Sequence, residues 1–477
     1  MGARSRQGCF SCRRRKKKCD EVKPICTACL RNSLGCTWPE FSFSPHEASV
    51  EVGSTRQKTR ARSQYGPKSD TWALALTNAP SKLLTLTIPA APSNFALPGV
   101  VSSGSGTWRL LDHYLKDTAN RLACLQDSQN PFLHTILPAA LNDELLMNAI
   151  LALSGVHLMQ RVPQLDLNVQ SLASSSYTRA LKQLRVALSD LTRNGSSVDG
   201  AWRALIIVLI FYLLEATRGS DPKAMQGHLD GAHHLMAYVM RFPLTSTPLS
   251  IVSFTTDLYV YNAGLASFTT NCSPISTSQS ETWANTSAST VNPVGVMCGC
   301  AHDLFIFVPR VSSLLWDITS ETSSEAGHRE SLIDDYHALR TQIVAWKPSS
   351  DQEDLVLCAE LYRQSLLLLL DSRFARKSTS SIADQAFRNL EFFISRLPPQ
   401  SPIATTATWP FFAFGIHAQN PQQKEVVRSY LKSLITTFGM GVMSTALNQL
   451  EEIWMLEPSQ DVVNRFFTHQ NQLFLIC

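Results

Sequence analysis

The sequence predicts a chain in three parts: a small cysteine module, a disordered linker and a large all-α domain. Three observations predict it. Six of the twelve cysteines fall between Cys9 and Cys36. Residues 39–104 are rich in Pro, Ser and Thr and lack a helical period. From residue 105 onward, apolar residues recur at three- and four-residue spacing, the signature of helices with one buried face. A length of 477 residues exceeds one ordinary domain. With 44% apolar and only 17% charged residues, most of the chain can bury a core.

The module, residues 8–38, reads Cys9-x2-Cys12-x6-Cys19-x6-Cys26-x2-Cys29-x6-Cys36, an internal duplication of C-x2-C-x6-C. The first residues contain no apolar run that would serve as a signal peptide, so a reducing compartment is expected. There, clustered cysteines bind metal more often than they pair as disulfides. Structural zinc wants four thiolate or imidazole ligands, and no histidine lies between Cys9 and Cys36. One zinc strands two sulfurs, whereas two zincs can use all six if one sulfur from each half bridges both metals. The pseudo-symmetry makes the first cysteine of each half, Cys9 and Cys26, the natural pair of bridges.

The two halves differ in charge. Between Cys12 and Cys19 stand Arg13, Arg14, Arg15, Lys16, Lys17 and Lys18; between Cys29 and Cys36 stands the nearly neutral Leu30-Arg-Asn-Ser-Leu-Gly35. Residues 1–40 hold ten basic and three acidic side chains, while the whole chain is only +4, so the body is mildly acidic. A cationic head on an acidic body points to a polyanionic partner. The basic run is the expected DNA-facing element, because phosphate neutralisation supplies most nucleic-acid affinity. One or two of its side chains are expected at base edges in the major groove, the others at phosphates. Pro24 stiffens the connection between the halves.

The linker carries seven prolines between Pro39 and Pro98 and too little apolar surface to offset chain entropy. Within it, Arg56-Gln-Lys-Thr-Arg-Ala-Arg62 reads equally as a nuclear-import signal or DNA-backbone arm and as a solvated linker segment. No heptad pattern supports a coiled coil after the module.

In the third part, periodicity predicts helices over Leu141–Met159, Tyr177–Leu191, Ala201–Glu215, Lys223–Val239, Ala301–Trp316, Asp354–Asp371 and Ala386–Leu397. A further helical stretch, Lys424–Trp454, is broken near Gly439–Gly441. Ala201–Glu215 is apolar all round and belongs at the centre of a core, since its eleven-residue apolar run is short of the roughly 20 residues a membrane span needs. Residues 268–294 read as a Ser/Thr-rich loop.

Residues 9–36 resemble the fungal Zn2Cys6 binuclear-cluster DNA-binding domain, in the cysteine spacing, the basic run after the second cysteine and Lys23-Pro24-Ile25-Cys26. The resemblance implies two Zn2+ ions per chain, bridged by Cys9 and Cys26. Cys12 and Cys19 would complete one zinc, and Cys29 and Cys36 the other. It also implies that Arg15 and Lys16 approach the bases of a CGG-type triplet, which suits the pairing of Lys and Arg with guanine acceptors. More loosely, residues 107–456 resemble the fungal-specific transcription factor domain, in Pro138–His157, Gly227–Leu235, Trp409–Gly415 and Leu450–Trp454. That implies a regulatory domain binding a metabolite, a partner or itself. The expected fold class is then a small Zn2Cys6 binuclear cluster module plus a large all-α domain, residues 105–477, joined by a disordered linker.

The sequence contains no phosphate-binding G-x-x-x-x-G-K-[ST] loop, dinucleotide fingerprint or nucleophile elbow, and no enzymatic activity is expected. His228, His233 and His234 near Asp230 read as satisfied histidines. Met297-Cys298-Gly-Cys300 has no second ligand pair nearby and reads as packed cysteines. Trp409 and Trp454 read as core anchors. The leading expectation is a nuclear, sequence-specific transcription factor for RNA polymerase II genes. Its partners would be double-stranded DNA, a second copy or a related chain in a dimer, and a small-molecule effector, with no membrane. The alternative is a zinc-scaffolded cofactor or corepressor that does not itself read DNA. An enzyme with an appended zinc module stands third.

Overall fold

A computed structural model describes Cys12, Arg15, Cys19 and Thr27–Leu30 near the N-terminus, then residues 105–193, 197–220, 222–242, 247–268, 295–320, 326–374 and 379–455. The linker, its basic cluster and nearly all of the Ser/Thr-rich loop lie outside the described residues. The chain divides into two compact units, Met1–Ile88 and Pro89–Cys477. In the first, Thr27–Leu30 is a single helical turn, α1, carrying Cys29.

Most described residues of the second unit lie in helices, joined by turns and short loops. Its main helices are α2 (Ser105–His113), α3 (Glu144–Arg161), α4 (Leu167–Arg193), α5 (Val198–Arg218), α6 (Pro222–Val239), α7 (Leu249–Ala266), α8 (Phe307–Ser320), α9 (Ala326–Ala345), α10 (Glu353–Phe374), α11 (Thr379–Arg396), α12 (Thr408–Ile416), α13 (Pro421–Phe438) and α14 (Gly441–Met455). Among the described residues the one β-type pairing is an isolated bridge, Gly295 to Gly299.

Local chemistry explains where these helices start and stop. The Asp143 carboxylate caps α3, accepting from the Leu145 and Leu146 N–H groups at 3.0 and 3.2 Å. Ser197 caps α5 and Asn420 caps α13 in the same way, and Pro421 follows at the first turn of α13. Both α5 and α13 end on left-handed glycines, Gly219 at φ 71° and Gly439 at φ 68°. Gly439 is where the sequence predicted the break between α13 and α14.

Helix α5 is long and apolar enough to cross a membrane on length and composition, yet it is buried inside the protein. It packs against α3, α4, α6, α7 and α14. Around it, α3 pairs with α4 and α5 with α6. In the C-terminal half, α10 packs on α8, α9, α11 and α12, and α12, α13 and α14 pack on one another. Trp409 is buried and stacks on Tyr362 at 5.8 Å between ring centres, and Trp454 donates its indole N–H to Gly415 O at 2.9 Å. Both act as the expected anchors.

The two halves meet at the C-terminal end of α13. Arg161 donates from Nη1 to Thr436 O and Thr437 O at 2.6 and 3.1 Å. His157 Nε2 donates to Phe438 O at 2.9 Å, and Gln160 Nε2 donates to Arg218 O at 3.1 Å. One turn of α3 thus satisfies carbonyls that the ends of α5 and α13 leave without helical partners.

Candidate zinc and nucleic-acid site

Of the six module cysteines, Cys12, Cys19 and Cys29 are described, and all three are buried and outside any disulfide. Burial of three sulfurs in so small a unit needs a reason beyond apolar packing. The sulfurs of Cys12 and Cys29, the second cysteine of each half, lie 3.9 Å apart. That is nearly twice a disulfide bond of about 2.05 Å. The duplicated halves therefore meet sulfur to sulfur, close together but not joined by a disulfide. These donors fit zinc.

Arg15, in the middle of the basic run, is exposed between the buried Cys12 and Cys19. Thiols turned inward and a cation turned outward is the arrangement a metal-nucleated DNA reader requires. Cys9, Cys26, Cys36, Arg13, Arg14, Lys16, Lys17 and Lys18 lie outside the described residues.

The histidines near Asp230 do not converge. His228 packs against the Phe211 ring of α5, 5.7 Å between centres, and burial lowers its pKa. His233 Nδ1 is 2.9 Å from the Tyr259 hydroxyl, and His234 Nδ1 is 2.7 Å from Asp230 O. Each serves the packing of α6, in accord with the sequence reading. A groove of about 580 Å³ between α3, α4 and α5 is lined by Glu144, Gln183, Asp190 and Arg203 among others. Leu145, Val186, Ala187 and Leu191 share its lining with these polar side chains.

Two other clusters escaped the sequence analysis because each pairs two nearby donors with a third that is distant in the chain. His113, Asp117 and His157 present donor atoms within 4.8 Å of one another, as do Asp257, Cys298 and His302. In the first, His113 Nε2 is 3.2 Å and Thr118 Oγ1 3.0 Å from His157 Nδ1. Burial pushes the His157 pKa down to about 4, so both rings are neutral near pH 7. Asp117 lies within a π-helical turn, Tyr114–Thr118. The sequence signal available was the spacing His113-x3-Asp117, which brings two donors to one helix face.

A family model for the fungal specific transcription factor domain matches residues 109–472. One for the fungal Zn(2)-Cys(6) binuclear cluster domain, which binds two zinc ions, matches residues 7–43. Among curated proteins, the chain is 60% identical over 37 residues to zinc cluster transcription factor CZF1 of Candida albicans, covering 8% of this chain and 10% of that protein. It is 40% identical over 64 residues to transcriptional regulatory protein UME6 of Saccharomyces cerevisiae, 13% of this chain and 8% of that one. A longer match, 27% identical over 157 residues, is to transcriptional activator protein UGA3 of Saccharomyces cerevisiae, 32% of this chain and 30% of that one. The aligned stretches thus span less than a third of each of these relatives. No solved structure matches the chain.

Proposed function

The chain belongs to the fungal specific transcription factor domain family, and from that premise we propose that it is a nuclear, sequence-specific DNA-binding regulator of RNA polymerase II genes. One observation carries the reading. Buried sulfurs from both halves of the module meet, and two of them, Cys12 and Cys19, flank an exposed arginine within six consecutive cations.

Zinc supplies no reaction here; it fixes the two halves, which are too small to hold a core of their own. Cys9 and Cys26 bridge the metals, Cys12 and Cys19 complete one, and Cys29 and Cys36 the other. The run Arg13–Lys18 then works as two sets of side chains. Most neutralise phosphates on the flanking strands, which holds the module on the duplex without reading it. Arg15 and Lys16 reach guanine N7 and O6 in the major groove and select a GC-rich, CGG-like triplet. A triplet is too short to mark a genomic address, so a second copy or a related chain supplies the other half-site.

The test is selection of full-length protein on a randomised duplex library, with and without chelator, followed by binding across a salt series. Zinc-dependent enrichment of a GC-rich triplet is expected, with half-site spacing reporting the dimer. Arg15→Ala with Lys16→Ala should abolish enrichment. Zinc-loaded protein that selects no sequence would sink the reading and favour a cofactor that docks on other proteins.

A further inference from the structure

Cys298 and Cys300 read as packed thiols because the sequence offers no second ligand pair nearby. The fold brings Asp257 of α7 to Cys298 and the neighbouring His302. Residues 295–299 form a tight loop closed by Gly295 N–H to Gly299 O at 2.8 Å and Gly299 N–H to Gly295 O at 3.2 Å. The loop folds over Asp257 of α7, whose carboxylate accepts from Met297 N–H at 3.2 Å and from His302 Nδ1 at 3.0 Å. It also hydrogen-bonds the Cys298 thiol. A Cβ at Gly295 would stand 2.2 Å from Asp257 Oδ1, so backbone encloses this carboxylate on that side.

Asp257, Cys298 and His302 are all buried, at 4, 5 and 7% exposure. Among the described residues, no lysine or arginine forms an ion pair with Asp257; its one ionisable partner of opposite sign is His302. A carboxylate deep in a protein costs many kcal/mol unless it is paired or coordinates a metal. The donors are a thiol, an imidazole and a carboxylate, a set that suits zinc. A thiolate and a carboxylate cancel the charge of a divalent ion, which leaves the core neutral. The 3.0 Å between His302 Nδ1 and Asp257 Oδ1 is already close to the roughly 3.3 Å edge of a tetrahedron with 2.0–2.1 Å bonds. Cys124 stands next to the group. Its buried thiol donates to Val296 O at 3.1 Å, which ties the loop to the chain at Cys124.

We propose that Asp257, Cys298 and His302 form a zinc site in the helical domain that fastens the 295–306 segment to α7. The His113/Asp117/His157 cluster is the weaker candidate, because Arg121 and Arg161 already pair with Asp117 at 3.0 and 3.7 Å and would repel a dication.

The experiment is zinc counting by native mass spectrometry on the full chain equilibrated with micromolar free zinc. Three ions per chain are expected, two for the cluster and one here, falling by one in Cys298→Ala and in His302→Gln. The same count is made on a chain whose cluster is disabled by Cys12→Ala and Cys29→Ala, where the helical-domain ion should persist and raise the thermal midpoint as free zinc rises. That arm does not depend on the Cys298 or His302 variants folding. The proposal is overturned if the intact chain saturates at two ions, if the cluster-disabled chain shows no zinc-dependent stabilisation, or if the extra ion survives both His302→Gln and Cys298→Ala.

Discussion

Gly441→Ala tests whether the two halves of the helical domain are locked backbone to backbone. Gly441 opens α14 and sits on the end of α5. A methyl group there would lie 2.4 Å from Gly219 N, 2.5 Å from Arg218 C and 2.6 Å from Arg218 O. Ordinary contact is about 3.4 Å or more, so one helix end must move by nearly 1 Å. No flexible side chain can give way, because every one of the three atoms is backbone. Gly219 is itself held at φ 71°, and Arg218 O accepts from Gln160 Nε2, so the shift also strains α3. Overpacking of this kind costs about 1–3 kcal/mol, and an all-backbone clash belongs at the upper end. For a domain of this size that is on the order of 5 °C in thermal midpoint. Gly227→Ala on α6 is the control, because nothing stands within 4 Å of its added methyl. Removing a mid-helix glycine should stabilise by roughly 0.5–1 kcal/mol. Scanning fluorimetry of both variants at one heating rate reads the pair. Equal shifts, or an unchanged midpoint for Gly441→Ala, would refute the close approach of α5 and α14.

Acid should weaken the helical domain before its carboxylates titrate. Burial holds the His157 pKa near 4, against about 6.5 in the unfolded chain, so the unfolded state takes up the proton first and stability drops as pH falls from 6.5 to 4, by at most about 3 kcal/mol. His157→Gln should flatten much of that slope, and an unchanged pH profile would mean that the ring is not buried neutral. Arg161→Met should lower the thermal midpoint by a few degrees, since Thr436 O and Thr437 O lose their donor; a silent substitution would mean that water replaces it without cost. In DNA binding, Arg15→Ala should flatten the plot of log affinity against log salt by about 0.9 if it meets a phosphate. If it reads a base, selectivity at one position should relax instead. Tyr336→Phe should cost about 1 kcal/mol through its lost bond to Asp371 at 3.0 Å, which Arg340 also holds, as read by urea unfolding.

What could be read ahead of the structure follows from how locally the information is written. The cysteine duplication and the basic run each sit within 28 residues, so spacing alone exposed the metal chemistry. Helices α3, α5, α6, α10 and α13 were legible through apolar period or an unbroken apolar run. Helix α7 was not, because Leu249–Ala266 is buried on nearly every face and rich in Thr, Val and Tyr, so it lacks both an amphipathic period and a helix-favouring composition. Helix α9 failed for the opposite reason, since Ala326–Ala345 is largely polar. The clusters around His157 and Asp257 lie in a third category. Asp257 is 41 residues from Cys298 and 45 from His302, and no period in the sequence relates them. Their meeting depends on α7 packing against the segment that leads into α8, which is decided by the whole core. Donor chemistry placed by tertiary packing is invisible to spacing rules. For that reason the C-x-C pair looked inert in the sequence, although the fold brings Asp257 to Cys298 and His302.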